Sequence, residues 1–250
     1  MMEMKGQMEQ QLRRLKMPGI LNNLDLRVAE AQENKLGYLE FLWLLVQDEV
    51  LSREANNLAK RIKAAGFGNE KTFEGYDFQF NEEVLSASLI RDLGSCHFVE
   101  QRRNLVITGP PGIGKTHIGK AIGHEVCRRA QDVIFRKTHK LLKELGDVDE
   151  RRSERIMKKC LKAEVLILDD FAFRRLDQRE TELLYTIADE RTGRASTILT
   201  SNRPPQDWYG IFPDPVIGGA ILDRFVSGAT KVVVTRGRSY RKERDYLKRS

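Results

Sequence analysis

The sequence predicts an α/β protein, with a five-stranded parallel sheet covered by helices on both faces and preceded by a small all-α domain. From residue 104 to residue 250, short apolar runs alternate with amphipathic segments, the pattern of strands connected by helices. A glycine-rich loop follows the first of those runs, and residues 1–66 show only helical periodicity. The 250 residues are enough for one large domain with a smaller addition.

Composition limits the class of protein. Hydrophobic residues make up 40% and charged residues 32%, so the chain can form a core beneath a heavily ionised surface. The net charge of +7 is compatible with a polyanionic partner, without choosing nucleic acid over membrane. The longest apolar run, residues 41–46, is far shorter than the roughly 20 residues of a membrane span. The start of the chain has no apolar signal core, and three widely spaced cysteines form no metal pattern. We therefore expect a cytoplasmic protein with no membrane partner.

Residues 1–66 are predicted to form a helical N-terminal domain. A first apolar series is interrupted by Met-Pro-Gly at residues 17–19, which favours a break. A longer amphipathic helix is predicted from about 36 to 64, with Gly66 beyond its end. Its apolar stripe could pack against its own domain or dock another protein or subunit, and both alternatives stay open.

Residues 67–103 are predicted to connect the two domains. Aromatic side chains concentrate in the first part of this segment: Phe67, Phe73, Tyr76, Phe78 and Phe80. Such a run is typical of local packing, although it could also supply an aromatic face to an adenine base. A helix is predicted over residues 81–93, leading to the first strand.

The remaining chain, residues 104–250, is predicted to hold five strands and five helices. The strands are expected near 104–108, 133–136, 165–168, 196–200 and 231–235. The helices are expected near 115–129, 138–145, 150–162, 178–192 and 215–226. Ligands of such sheets bind beyond the carboxyl ends of the strands, so polar residues that follow the strands are candidate site residues.

The strongest chemical signal is the octet Gly-Pro-Pro-Gly-Ile-Gly-Lys-Thr at residues 109–116, between an apolar strand and a helix. This spacing indicates a phosphate-binding loop, in which glycines let backbone N–H groups face phosphate oxygens. Lys115 is expected to reach the β- and γ-phosphates and Thr116 to ligate Mg²⁺, while the helix N-terminus adds to the field. The residues expected to bind a nucleoside triphosphate are Gly109, Pro110, Pro111, Gly112, Ile113, Gly114, Lys115, Thr116 and His117.

Three later positions complete the candidate site. The third strand ends in Asp169, expected to hold Mg²⁺, and Asp170, expected to orient or deprotonate the attacking water. Asn202 follows the fourth strand and could sense the γ-phosphate or only cap the loop. Arg224, near the end of a late helix, could reach a neighbouring subunit's nucleotide as an arginine finger or be a solvated charge. The predicted catalytic residues are Lys115, Asp170, Asn202 and Arg224, with Thr116 and Asp169 at the metal.

Together these residues resemble an AAA+ ATPase of the initiator and helicase-loader type. The whole chain resembles, more closely, the IstB-type helper ATPases of bacterial insertion sequences. The matching segments, which span nearly the full length, are residues 15–19, 39–42, 48–49, 64–67, 71–72, 112–117, 196–202, 214–215, 222–224 and 239–241.

The resemblance implies a protein that binds and hydrolyses ATP with Mg²⁺ and assembles as a homo-oligomer with nucleotide at its subunit interfaces. It also implies sequence-tolerant binding of duplex DNA and delivery of that target DNA to a cognate transposase, which it stimulates. By resemblance, Lys115 and Thr116 are the Walker A residues, Asp169 and Asp170 Walker B, Asn202 sensor 1 and Arg224 the arginine finger. The N-terminal helices would mediate self-association or contact the transposase.

Two departures from the AAA+ pattern matter. Asp170 stands where many of these proteins have Glu, and its shorter reach leads us to expect slow hydrolysis suited to a timer. No C-terminal helical lid is predicted, because few residues follow the fifth strand. Arg238 and Arg241 are candidates for a sensor 2 arginine, or ordinary residues of a basic tail.

The candidate DNA contacts are Arg136, Lys137, Lys140, Arg174 and Arg175, which follow the second and third strands. Further basic clusters lie at residues 158–159 and 236–248, and any of these clusters could instead be a solvated face. No helix-turn-helix or zinc finger is evident, so binding should be to phosphates, weaken steeply with salt, and associate the protein with the nucleoid.

Two other functions share parts of this pattern. A DnaC-like replicative helicase loader shares the ATPase core but carries a different helicase-docking extension, whereas residues 1–66 resemble the transposition helpers. A metabolic P-loop kinase would need a lid and an acceptor pocket. ATP-driven assembly on plain duplex DNA would separate the three.

Overall fold

A computed structural model describes residues 2–68 and 71–247 of the chain. The chain divides into two compact units, residues 1–60 and residues 61–250. Among the described residues, no helix combines the length and the apolar character needed to cross a membrane. Cys96, Cys127 and Cys160 are all buried free thiols.

The first unit contains helices α1 (Met2–Arg14), α2 (Pro18–Asn34) and most of α3 (Tyr38–Ala65), which continues into the second unit. The predicted break is confirmed, since α1 ends before residues 17–19 and α2 begins at Pro18, where proline lacks only an N–H that helix geometry leaves unpaired. The buried core of the unit is formed by Leu12, Ile20, Leu24 and Leu45.

Helix α2 starts directly against the backbone of α3. A Cβ atom on Gly19 would lie 2.3 Å from the carbonyl oxygen of Asp48, so no larger residue fits without displacing a helix. The carboxylate of Glu49 accepts the N–H of Gly19 at 2.8 Å, and Arg27 donates to both carboxylate oxygens of Asp48 at 2.8 Å. The hydrogen bonds from Arg27 hold the pKa of Asp48 below its usual range. These contacts give a physical reason for Gly19 and the Asp48-Glu49 pair to occur together.

The second unit has the predicted architecture. Its helices are α4 (Ala87–Gly94), α5 (His97–Glu100), α6 (Lys115–Arg128), α7 (Thr138–Asp147), α8 (Glu150–Lys162), α9 (Gln178–Arg191), α10 (Pro215–Val226) and α11 (Tyr240–Leu247). Its strands are β1 (Leu105–Thr108), β2 (Val133–Lys137), β3 (Val165–Asp169), β4 (Ser196–Ser201) and β5 (Thr230–Val233). They form one parallel sheet in the order β2-β3-β4-β1-β5, with a short 3₁₀ helix at Pro205–Ile211. The α/β fold and five-stranded parallel sheet are thus confirmed.

Helices cover both faces of the sheet, because the apolar side chains of the central strands alternate between them. Leu166, Leu168 and Leu199 enter a buried cluster with residues of α7, α9 and α10. On the opposite face α6 packs closely, and a Cβ on its Gly119 would lie 3.7 Å from Ile167. In the sheet register Lys137 lies beside Asp169, so the β2 and β3 ends meet at one edge.

The segment predicted as a connector belongs to the same unit as the sheet. Phe67 is buried with its ring 4.5 Å from that of His124 on α6. The helix predicted over residues 81–93 begins later, at Ala87, because Ser86 caps its N-terminus by accepting the N–H of Leu89. The described part of the chain ends in the short helix α11, which the sequence had not indicated.

Replacing Gly19 by Ala is expected to destabilise the first unit by roughly 1–3 kcal/mol, because the new methyl group overpacks the α2–α3 contact. Native-state hydrogen exchange of the α2 amides would measure this. Gly6→Ala is the matched control, because a Cβ there meets nothing within 4 Å. Equal exchange in the two variants would show that the close contact does not constrain the unit.

Candidate nucleotide site

The loop between β1 and α6, here called the cradle, has a backbone conformation that glycine adopts without strain. Gly112 has a φ of 87° and Gly114 a φ of 106°, both in the left-handed region. A Cβ on Gly112 would come within 2.1 Å of the Ser239 hydroxyl oxygen. Gly114 is the N-cap of α6 without a side-chain cap, so the first amides of that helix remain available to an anion.

Lys115 lies inside this loop, with only 7% of its surface exposed. Its ammonium donates hydrogen bonds to the carbonyl oxygens of Gly109 and Pro110, each at 2.7 Å. Burial lowers the pKa of Lys115 to about 8. The loop therefore holds one cation at its centre, where the charge is incompletely compensated and would be stabilised by phosphate oxygens.

The carboxylate of Asp169 is the meeting point of three elements. It is 1% exposed at the end of β3, and its Oδ1 accepts the hydroxyl of Thr116 on α6 at 2.8 Å. The same oxygen accepts the hydroxyl of Thr200 on β4 at 2.5 Å. The structure thus brings the two predicted metal ligands, Thr116 and Asp169, into direct contact.

Asp170 lies next in the chain but faces a different partner. It adopts a left-handed φ of 54°, and its carboxylate forms an ion pair with Lys137 of β2 at 2.6 Å. Its N–H donates to the Thr200 hydroxyl at 3.4 Å. Asp170, which was predicted to act on water, is therefore paired with Lys137, which was predicted to contact DNA.

Thr200 is the site residue that sequence reasoning missed. Its hydroxyl serves both Asp169 and Asp170, and its carbonyl accepts the N–H of Phe171 at 2.8 Å. Asn202, the predicted sensor, is exposed just beyond the end of β4. The available signal was a threonine at the carboxyl end of a buried strand, two positions before the predicted residue.

Arg224 lies away from the loop of its own chain. The side chain of Asn104, just before β1 begins, donates to the Arg224 carbonyl at 3.0 Å, whereas the phosphate loop follows the end of β1. The guanidinium donates to Asp189 at 2.8 Å and stacks on the Tyr185 ring at 4.9 Å. Any role for Arg224 at a nucleotide therefore requires another subunit.

The segment after residue 70 borders the cradle. The Tyr76 ring contacts His117 edge-on at 5.2 Å, and its hydroxyl would lie 3.5 Å from a Cβ on Gly114. His117 is hydrogen-bonded to the carbonyl of Thr72 at 2.9 Å. Burial lowers the pKa of His117 and raises that of Tyr76 to about 12, so both are neutral at physiological pH. The position of Tyr76 beside the cradle is compatible with the alternative that the aromatic residues of 67–80 face an adenine base.

The candidate DNA-contacting residues differ in their availability. Arg174 donates to both carboxylate oxygens of the buried Glu180, at 2.8 and 2.5 Å. Arg136 donates to the carbonyl of Phe135 at 2.9 Å, and Lys137 is paired with Asp170. Lys140 and Arg175 are exposed.

The residues present fit a nucleoside triphosphate with Mg²⁺. The first amides of α6 have no side-chain cap, the buried lysine lacks a counter-anion in the loop, and a hydroxyl and a carboxylate converge beside it. Within the described ranges no cluster of three or more His, Cys, Asp or Glu residues could hold a metal. Mg²⁺ bound to nucleotide needs only one or two protein ligands, so Thr116 and Asp169 suffice.

A phosphate loop after β1, a strand-end carboxylate on β3 with β4 inserted between these two strands, and this five-stranded parallel sheet define a protein of the AAA+ class. The chain belongs to the family of IstB-like ATP binding proteins, whose family model matches residues 10–247. It is 40% identical over 92% of both chains to a Mycobacterium tuberculosis protein described as an ATP-binding protein in an insertion sequence. It is 34% identical to the insertion sequence IS21 ATP-binding protein of Pseudomonas aeruginosa, over 94% of this chain and 88% of the relative.

Solved structures agree on the fold. The DnaC helicase loader superposes with a TM-score of 0.57 at 23% identity, covering 66% of this chain and 96% of the loader. The replication initiator DnaA, bound to AMPPCP and single-stranded DNA, superposes with a TM-score of 0.55 at 20% identity, over 72% of this chain and 55% of the initiator. At these identities the likeness establishes the AAA+ architecture alone.

ATP affinity is expected to fall as pH rises above about 8, because deprotonation of Lys115 removes the charge that attracts phosphate. The dissociation constant should rise by up to about tenfold per pH unit there, as titration of a fluorescent ATP analogue would measure. Lys115→Arg is the control, because guanidinium stays charged across this range. An equal pH dependence in the Arg variant would show that another group is responsible.

Proposed function

We propose that this protein is an ATPase that assembles on duplex DNA, delivers that DNA to a cognate transposase and stimulates it. It would work in the bacterial cytoplasm, at the nucleoid when DNA-bound. The observation that carries the proposal is the Thr116–Asp169 contact beside the buried Lys115. It occurs in a chain whose relatives are described as ATP-binding proteins of insertion sequences.

The geometry of the loop and of Asp169 supports the roles proposed at the nucleotide. Lys115 and the amides of the loop that ends in His117 bind phosphates, and Thr116 and Asp169 hold Mg²⁺, which supplies Lewis-acid stabilisation of phosphate charge. Asp170 orients or deprotonates water, and Asn202 senses the γ-phosphate. Because Asp170 is paired with Lys137 at 2.6 Å, it must exchange this partner before it can act, which supports slow hydrolysis.

The position of Arg224 supports the proposal that ATP hydrolysis requires assembly of subunits. Its backbone carbonyl is bonded by Asn104 at the far end of β1 from its own loop, and its guanidinium is held by Asp189 and Tyr185. In a head-to-tail homo-oligomer this residue would complete the site of the next subunit, so nucleotide would lie at the subunit interfaces. The cation would then stabilise negative charge as the γ-phosphate is transferred.

Hydrolysis is expected to be restored when two inactive variants are mixed. Asp170→Asn loses the residue that acts on water but keeps its finger, whereas Arg224→Ala keeps an intact loop. Random mixing in equal amounts leaves about a quarter of head-to-tail interfaces with both parts. Phosphate release in the presence of plain duplex DNA should therefore recover to about a quarter of the wild-type rate. Activity of the mixture no greater than that of either variant alone would show that Arg224 does not act in trans.

ATP is expected to drive assembly on plain duplex DNA, and Lys115→Ala should abolish that effect in sedimentation experiments. In the wild type, the logarithm of affinity should fall linearly with the logarithm of salt concentration. Lys140→Ala and Arg175→Ala should each reduce that slope by about one, since both side chains are exposed.

Arg194→Ala is the matched control, an exposed arginine paired with Glu190 on the surface of α9, and its slope should equal that of the wild type. Arg174→Ala should lose stability as well as affinity, because it leaves the buried Glu180 carboxylate without its cationic partner. Unaltered slopes for both Lys140→Ala and Arg175→Ala would remove these two residues from the DNA interface.

A further inference from the structure

The C-terminal segment returns to the phosphate loop after the last strand. This strap, residues 234–240, begins where the N–H of Val234 donates to the carbonyl of Thr108 at 2.9 Å. It ends where the N–H of Tyr240 donates to the carbonyl of Gly112 at 3.0 Å. Ser239 fills the space beside Gly112 that a side chain would occupy. The middle glycine of the cradle is thus held from outside the loop.

The side-chain amide of Asn81 forms two hydrogen bonds with the backbone of the strap. Its Nδ2 donates to the carbonyl of Arg238 at 2.9 Å, and its Oδ1 accepts the N–H of Arg238 at 2.7 Å. The two residues are 157 positions apart in the chain. Asn81 is 7% exposed and has a left-handed φ of 63°, a conformation that asparagine tolerates better than most residues. The Asn81 side chain thus bonds both the N–H and the carbonyl of Arg238, as the backbone of a neighbouring strand would.

Aromatic contacts hold the strap on the same side. The ring of Phe80 meets that of Tyr240 edge-on at 5.1 Å, and the guanidinium of Arg238 lies 5.0 Å above the Phe80 ring. Arg238 also donates to Glu243 at 3.1 Å. Its side chain is thus occupied by neighbours of the strap, and its backbone is what links Asn81 to the loop.

A glycine-rich loop is costly to order, because glycine loses more conformational entropy than other residues when it is fixed. A loop that is already ordered before the ligand arrives binds more tightly, since less of that cost falls on the binding step. The hydrogen bond from Tyr240 to Gly112 fixes the cradle in this way. Asn81 fixes the residue two positions before Tyr240.

We propose that Asn81 is a positioning residue for the nucleotide. Its two hydrogen bonds to the backbone of Arg238 place the N–H of Tyr240 on the carbonyl of Gly112 and thereby preorganise the phosphate loop. This rests on the proposed binding of ATP in that loop. Its effect is on affinity, because none of these contacts reaches the residues that act on water.

The test measures ATP affinity and the hydrolysis rate at saturating ATP separately, in the full chain. Asn81→Ala should raise the dissociation constant for a fluorescent ATP analogue about tenfold, as expected for two lost hydrogen bonds, and leave the saturated rate nearly unchanged. Asn81→Asp, which keeps the acceptor and loses the donor, should fall between Ala and the wild type.

Two controls separate positioning from general stability. Asn104→Ala removes an amide of the same kind, which bonds Arg224, Phe225 and Thr197 at the opposite edge of the sheet, and should leave ATP affinity unchanged. Asn34→Ala removes a side-chain amide that donates to the carbonyl of Glu30 within α2, and its ATP affinity should also equal that of the wild type. Weakening of affinity by Asn104→Ala equal to that by Asn81→Ala would overturn the proposal.

A second pair of variants tests the strap at its other end. Tyr240→Ala loses the ring but keeps the N–H to Gly112, whereas Tyr240→Pro loses both and is tolerated at the start of a helix. Tyr240→Pro should therefore lose more ATP affinity than Tyr240→Ala. This additional loss should be absent when Asn81 is already Ala, because both changes act through the hydrogen bond from Tyr240 to Gly112. Additive losses, or unchanged affinity in Asn81→Ala, would refute the positioning role. A wild-type protein that binds no ATP would instead refute the proposed function.

Discussion

The buried carboxylate of Asp169 is the interaction on which the rest of the site depends. A charge that is 1% exposed is stable only when its oxygens accept hydrogen bonds, and here the donors are Thr116 and Thr200. These hydroxyls come from α6 and β4, so satisfying one carboxylate fixes a helix and a second strand relative to β3. The position of the phosphate loop follows, because α6 is the continuation of that loop.

The charged groups of the site share a second property: each has a partner within the chain. Lys115 is held by two carbonyl oxygens, Asp170 by Lys137, and Arg224 by Asp189. A ligand or a neighbouring subunit must therefore compete with an existing contact to engage any of them. The carbonyl partners of Lys115 do not neutralise its charge, so that contact should yield most readily to phosphate. The ion pairs of Asp170 and Arg224 occupy both side chains, so under the proposed function these pairs must break before either residue acts.

Local patterns predicted much of this structure because their causes are local. Apolar runs of strand length gave all five strands, and Met-Pro-Gly at residues 17–19 marked the break between the first helices. The loop octet located Lys115 and Thr116, and the acidic end of the third strand located Asp169. Thr200 was missed because β4 carries four hydroxyl side chains, and the local pattern does not show which of them reaches a carboxylate. The helix predicted from residue 81 was wrong at its start, because Asn81 adopts a left-handed conformation and Ser86 provides the cap.

The sequence by itself determined the α/β class, the strand order along the chain and the phosphate loop, since periodicity and spacing act over a few residues. Only the tertiary structure decided which charges meet: Lys137 with Asp170, Arg224 with Asp189, and Asn81 with the backbone of Arg238. These contacts join residues that lie far apart in the chain. They depend on the sheet order and on where the last segment returns, and no local pattern encodes those distances.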